Sequence, residues 1–286
     1  MIKLAEYQTP EGYYDLPYIH VYDGDALTDG NNYSSINLGV AEHDYGFVLR
    51  QIMGRDNLAA RVQIRDSFAP LTSANAGVTL PRTYVVAPER FVSPAGALLM
   101  DLFNVGRANR TDGVNTIFFA QMAFQGLRRY LQPQGASIVY PGPSDYAYRR
   151  EPYTYLHQVT VNWAGTDPSS RKYALPVEDD DFELERITIV RTQLAGAATN
   201  AVPNREIKLL LADQHGKQLA NAPVLDVYLN DAADAASCRY NGVFPVPAVL
   251  YRLRSFIRFE LVSLLLPGQL PAAYDIYFQG ARRRTL

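Results

Sequence analysis

The residues able to do chemistry are few and poorly clustered. Four histidines occur, His20, His43, His157 and His215. His43-Asp44 has the form of a metal-phosphohydrolase dipeptide, but those enzymes carry it on helices with further histidine ligands, and this chain offers too few. Cys238 is the single cysteine, so it can neither close an intramolecular disulfide nor supply the thiolates of a zinc site. The acidic run Glu178-Asp179-Asp180-Asp181, and the pair Asp23-Gly24-Asp25 and Asp29-Gly30-Asn31, offer oxygen ligands for Ca²⁺ without the spaced loop that calcium sites use. Solvated turns account for both. Nucleophile-elbow, phosphate-loop and Cys-x-x-Cys patterns are absent from the sequence. The sequence therefore predicts a protein with no catalytic residue, cofactor or metal.

Two other residue classes stand out. Arginine pairs close two similar segments, Arg128-Arg129 and Arg282-Arg283, and a guanidinium is well suited to bidentate pairing with a carboxylate. They read as solvated strand ends that block edge pairing, or as groups that meet carboxylates of another subunit. Tyrosine is abundant, with 20 copies beside a lone tryptophan, Trp163. Tyr146 and Tyr148 belong to a cluster before the second half of the chain, where aromatic rings favour packing or a partner contact. Arg128, Arg129, Arg282, Arg283, Tyr146 and Tyr148 are thus the candidate interface residues. A sugar-stacking role for the tyrosines and Trp163 is the competing reading.

The elements that must hold these residues read as β. Apolar residues alternate at Tyr45, Phe47 and Leu49, at Val62 and Ile64, at Ile207, Leu209 and Leu211, and at Phe259 and Leu261. Gly, Pro, Asn and Asp separate these stretches, which favours a sandwich or barrel. Only Phe47 to Ile52 and Asp231 to Ser237 offer short helical alternatives.

Self-similarity organises the rest. Tyr18-Ile19-His20 matches Tyr155-Leu156-His157, and Tyr45-Gly46-Phe47 matches Phe182-Glu183-Leu184, both at an offset of 137 (155−18, 182−45). Met100-Asp101-Leu102 matches Phe259-Glu260-Leu261 at 159, and Phe124 to Arg129 matches Phe278 to Arg283 at 154. Four matches in the same order predict a tandem duplication: modules at 1–131 and 152–286, joined by a Pro/Gly/Tyr-rich linker at 132–151. Each module is long enough for about eight short strands. The expected fold is all-β, two tandem jelly-roll-like β-sandwich modules.

Composition sets outer limits. With 286 residues, 48% hydrophobic and 20% charged, the chain has the make-up of a globular protein. Twenty-seven Lys+Arg against 29 Asp+Glu give net −2, which argues against general nucleic-acid binding. The N-terminus lacks the apolar run of a signal peptide, and the best apolar run, Leu261 to Leu266, is far short of a membrane span. No membrane partner is expected.

Taken together the motifs resemble a family of small β-sandwich virion proteins of tailed bacteriophages. The first half carries the pattern at Asp44-Tyr45 to Ile52, Arg65-Asp66, Pro88-Glu89 with Phe91 and Pro94-Ala95-Gly96, Met100-Asp101-Leu102, and Phe124 to Arg129. The second carries it at Asp181-Phe182, Asp213, Phe259-Glu260-Leu261 and Phe278 to Arg283, but lacks the Pro-Ala-Gly turn. The resemblance implies a non-enzymatic capsid decoration, cement or minor capsid component, assembled in the host cytoplasm and located in the virion. Its partners would be phage capsid or head-tail proteins, and it would act as a homo-oligomer. A carbohydrate-binding tail or adhesin module, and a shell-forming tandem jelly-roll capsid protein, are the alternatives.

Overall fold

The computed structural model describes residues 12–24, 26–53, 59–66, 83–106, 108–111, 116–119, 121–131, 148–161, 170–192, 207–225, 249–263 and 272–285. Among the described residues there is no helix. Phe47 to Ile52, one of the two helical candidates, lies inside a strand, where Phe47, Leu49 and, beyond a bulge, Ile52 bury one face of a sheet. Asp231 to Ser237 and Tyr146 lie outside the described residues.

Nine strands precede the middle of the chain: β1 (Tyr13–Asp23), β2 (Tyr33–Asn37), β3 (Tyr45–Met53), β4 (Ala59–Asp66), β5 (Thr83–Val92), β6 (Leu98–Val105), β7 (Ala108–Thr111), β8 (Thr116–Phe119) and β9 (Gln121–Leu131). Eight follow: β10 (Tyr148–Val161), β11 (Ser170–Pro176), β12 (Asp181–Thr192), β13 (Ile207–Ala212), β14 (Val224–Leu225), β15 (Val249–Tyr251), β16 (Phe256–Ser263) and β17 (Ala272–Thr285). β10 begins at Tyr148, so Tyr148 to Glu151, expected in the linker, are paired strand.

The second group forms two sheets, β10-β17-β12-β15 and β11-β16-β13-β14. Counted along that group, the orders are first-eighth-third-sixth and second-seventh-fourth-fifth, the antiparallel double-sheet arrangement of a jelly roll. The first group repeats the first sheet as β1-β9-β3-β5 and three strands of the second as β2-β6-β4, with no counterpart of β14 among the described residues, and adds the hairpin β7-β8 between β6 and β9. The fold is all-β, built from two tandem jelly-roll sandwiches. Between the first pair of sheets lie Tyr18, Phe47, Leu49, Ile52, Ile64, Leu98, Met100, Leu102 and Phe124. Between the second pair lie Tyr155, Phe182, Leu184, Ile187, Leu209, Leu211, Phe259, Ile276 and Phe278.

Strand register fixes which residues correspond. Gly126 of β9 faces Tyr18 and Leu49, while Gly280 of β17 faces Tyr153 and Leu184. Tyr18 therefore corresponds to Tyr153 and Leu49 to Leu184, both 135 apart (153−18, 184−49). A β-bulge falls between Leu49 and Gln51 in one copy and between Leu184 and Arg186 in the other, the same position at that offset. Bulges are placed features and not defects, so their coincidence ties the two copies together residue by residue.

This register corrects the sequence matching by two residues. His20 lies opposite Phe124, whose counterpart Phe278 lies opposite Tyr155, so His20 and His157 do not occupy one repeated position. A two-residue slip keeps every side chain on its own face, which is why the alternation could not expose it. The closing match at 154, which sets Gly126 against Gly280, is the one that the shared bulge supports.

Candidate functional site

The arginine ends of β9 and β17 fold onto their own modules. Arg128 lies over the ring of Tyr18, its Cζ 3.4 Å from the centroid, with Tyr45 at 4.3 Å on the other side. Its counterpart Arg282 lies 3.3 Å from the ring of Tyr153 and 5.8 Å from that of Tyr155. The same cation–π stack thus recurs in both copies, each ring being donated by the strand next to the closing strand.

The second arginine of each pair binds a carboxylate. Arg129 donates to Asp15 through Nε and Nη2, both at 2.9 Å, straight across the β1–β9 ladder. In the second module the residue opposite Arg283 across the β10–β17 ladder is not an acid but Arg150. Glu183 of β12 resolves this like-charge pair, accepting from Arg150 Nε at 2.7 Å and from Arg283, while Glu185 takes a further hydrogen bond from Arg150. Glu183 and Arg283 are both largely buried. Tyr148 lies under Arg283, its centroid 4.5 Å from Cζ. The carboxylate partners of Arg129 and Arg283 are therefore residues of the same chain, on neighbouring strands.

The acidic run before β12 serves the same strand. Asp179 pairs with Arg282 at 3.1 Å, Asp180 with Arg284 at 3.3 Å, and Asp181 with Arg252 at 2.8 Å. Arginine cations thus occupy three of the four carboxylates of this run that the sequence offered to Ca²⁺. Among the described residues no group of three or more His, Cys, Asp or Glu side chains could hold a metal ion. His43 and Asp44 are exposed in the turn before β3.

The histidines face ring systems and the sandwich interior. His157 packs edge-on against Tyr173 at 4.9 Å and Phe259 at 5.3 Å. Burial, reinforced by the Arg128 cation, pushes the His20 pKa down to about 4. A histidine held below its unfolded value of about 6.5 favours the neutral form. Its contribution is complete above pH 6.5, erodes as pH falls through 6.5 towards 4, and is wholly lost below. The loss amounts to roughly 3 kcal/mol. Urea unfolding at pH 7 and pH 4.5 should therefore show a larger drop for the wild type than for His20→Gln; equal drops would exclude the assignment.

Sequence reasoning missed the contact between the modules. The hairpin after β13, from Asp213 to Gln218, is closed by Asp213, whose Oδ1 accepts from the backbone N–H groups of His215 and Lys217 at 2.9 and 2.8 Å. Gly216 supplies the left-handed turn at φ 84°. The chain leaving it lies against the edge of β1. Ile19 N–H donates to Leu219 O at 2.9 Å, with a parallel bridge between Ile19 and Ala220. Asn221 clamps Val21 from both sides, its Oδ1 accepting from Val21 N–H at 2.6 Å and its Nδ2 donating to Val21 O at 2.9 Å. Gln121 Nε2 reaches Pro223 O at 3.1 Å and Lys208 pairs with Asp23 at 3.2 Å. Ile19, Val21 and Ala123 are thereby drawn into the hydrophobic cluster of the second module. A single signal could have found this surface: Ile19 and Val21 are apolar on the face of β1 turned away from its own sandwich.

Asn221→Ala removes both hydrogen bonds to Val21 and leaves a buried N–H and C=O without partners, at a cost of about 2 kcal/mol. The expected result in calorimetry is earlier separation of the two modules' melting transitions. Coincident transitions at the wild-type temperature would show that the clamp carries no weight.

The chain matches no protein-family model and no curated protein. Among solved structures it is similar to the major capsid protein P2 from bacteriophage PM2, with a TM-score of 0.22 and 8% identity over 94% of this chain and 97% of that one. It is also similar to a structure of infectious bursal disease virus, Gt strain, with a TM-score of 0.23 and 11% identity over 99% of this chain and 75% of that one. Strand order, register and bulge position carry the fold assignment. The tailed-phage resemblance stays with the sequence motifs.

Proposed function

We propose that the chain is a non-enzymatic, capsid-type structural subunit of a virus particle, with a first module at 1–131 and a second that begins with β10 at Tyr148. The observation that carries this reading is the pairing of two jelly rolls of matching strand order, bulge and arginine stack, locked together by the chain that covers the β1 edge. Jelly rolls recur in viral capsid and lectin domains. A duplicated sandwich whose closing-strand arginines pair with carboxylates of the same chain makes a rigid building unit, not a site for turnover. Modest apolar contacts between such units gain strength from repetition over a shell.

Decoration of an existing shell, a minor capsid role and formation of the shell itself are the finer readings, and copy number separates them. Quantitative mass spectrometry of purified particles is the test. The chain should be present at a fixed stoichiometry, at the level of the main shell protein if it builds the wall and below it, releasable without loss of the shell, if it decorates. Absence from particles would overturn the proposal. A glycan-binding role would instead show as retention on a glycan array, lost in Trp163→Ala.

A further inference from the structure

β1 and β10 are the edge strands of corresponding sheets. Ile19 and Val21 turn their backbone groups away from β9, towards the chain that covers them. Pro17 shares that parity, so its missing N–H falls on the edge and not in the ladder. At the offset of 135 the counterparts of Pro17, Ile19 and Val21 are Pro152, Thr154 and Leu156. The proline recurs, but among the described residues the cover does not.

Val21 is 3% exposed and Leu156 is 45% exposed. Pro152, Thr154, Gln158 and Thr160 are exposed as well. Among the described residues β10 pairs with β17 alone. From Tyr153 to Val161 the strand reads Tyr-Thr-Tyr-Leu-His-Gln-Val-Thr-Val, without a Lys, Arg, Asp or Glu. A long, uncharged edge with a row of open N–H and C=O groups templates pairing with another chain, and proteins ordinarily block such edges with charge or cover. In the first module the cover is a neighbouring module.

We infer that the outer edge of β10, from Pro152 to Thr160, is the seat for the first module of a second copy of this chain, as the edge of β1 is the seat for the second module. The inference rests on the subunit reading above and names its contact. The internal contact is head-to-tail, an edge on one module meeting a hairpin exit on the next. Its repetition between chains is therefore heterologous, giving a ring if the rotation closes and a filament if it does not. Two β10 edges meeting about a two-fold axis would be a different, isologous arrangement.

The test uses the full chain and the double variant Thr154→Lys, Leu156→Lys, with Gln158→Lys as a second variant on the same edge. These side chains point to solvent and their N–H groups are not used by β17, so the variants should unfold at the wild-type temperature. Sedimentation velocity should show an oligomer for the wild type and a monomer for the variants. Residue-level hydrogen exchange should show Thr154, Leu156 and Gln158 protected in the wild type and exchanging on the order of 100-fold faster in the double variant, with Tyr155 and His157 protected in both. Mixed with wild type, the double variant should join the end of wild-type oligomers and shorten them, because its own first module is intact and can cap a wild-type edge while its own edge accepts no further copy. Oligomers of the variants like those of the wild type would overturn the inference. So would fast exchange at those three amides in the wild-type oligomer, a wild-type monomer, or a variant that neither self-associates nor binds wild type. Particle composition judges the subunit reading separately, so the two can fail independently.

Discussion

Glu183→Gln should be among the most destabilising single substitutions in the second module, at about 3–5 kcal/mol. Arg150 and Arg283 face each other across the β10–β17 ladder, and like charges directly opposite are unfavourable. Glu183 is the shared counter-ion, bonded to both, with a side chain only 8% exposed. The amide keeps one acceptor oxygen but removes the charge that screens the two guanidiniums. Removing one partner of a buried pair is severe because the other remains buried and uncompensated. Arg129→Gln in the first module should be costly for the converse reason, removing the bidentate cation from the buried Asp15. The discriminating experiment is Glu183→Gln combined with Arg150→Gln. If the like-charge argument holds, the second change recovers a large part of the stability lost to the first, read as a non-additive double-mutant cycle in urea unfolding. Additive losses would show that Glu183 acts through packing alone.

Much of the fold was legible because β structure writes itself in alternation, and because a duplicated fold repeats its punctuation. Phe124-Gln-Gly-Leu-Arg-Arg and Phe278-Gln-Gly-Ala-Arg-Arg announce one strand twice, and the structure pairs both with their third and first strands. Alternation has a period of two, however, so it cannot tell a correct alignment from one slipped by two residues. Matching His20 to His157 took that slip; the pair Pro17-Tyr18 and Pro152-Tyr153 held the true register. The candidate site was less legible. Arginine beside tyrosine was visible, but whether a guanidinium meets a carboxylate of its own chain or of another depends on cross-strand partners. Those are set by long-range pairing: Asp15 lies 114 residues from Arg129. The module contact was hidden for the same reason, since the Asn221 side chain that clamps Val21 lies 200 residues away.

The two closing-strand glycines give the other large expected effect, and it tests the duplication itself. A Cβ on Gly126 would be driven into the carbonyl oxygen of Val48, and one on Gly280 into that of Glu183. Val48 and Glu183 are themselves counterparts, each one residue before the leucine facing the glycine. The obstacle is backbone on the bulged strand in both copies, so no side-chain rotation can relieve it. Overpacking a core usually costs about 1–3 kcal/mol, and a clash that pries a central ladder apart belongs at or above the top of that range. Gly126→Ala and Gly280→Ala should therefore each lose at least about 3 kcal/mol, whereas Gly106→Ala, with nothing near its added methyl, should be close to neutral. In calorimetry Gly126→Ala should lower the transition of the first module and Gly280→Ala that of the second. Because the hairpin exit of the second module covers β1, Gly280→Ala should also draw the first transition down, while Gly126→Ala should leave the second nearer to its wild-type temperature. A substitution tolerated in one copy and severe in the other would mean that the close approach at the bulge is not a shared structural requirement.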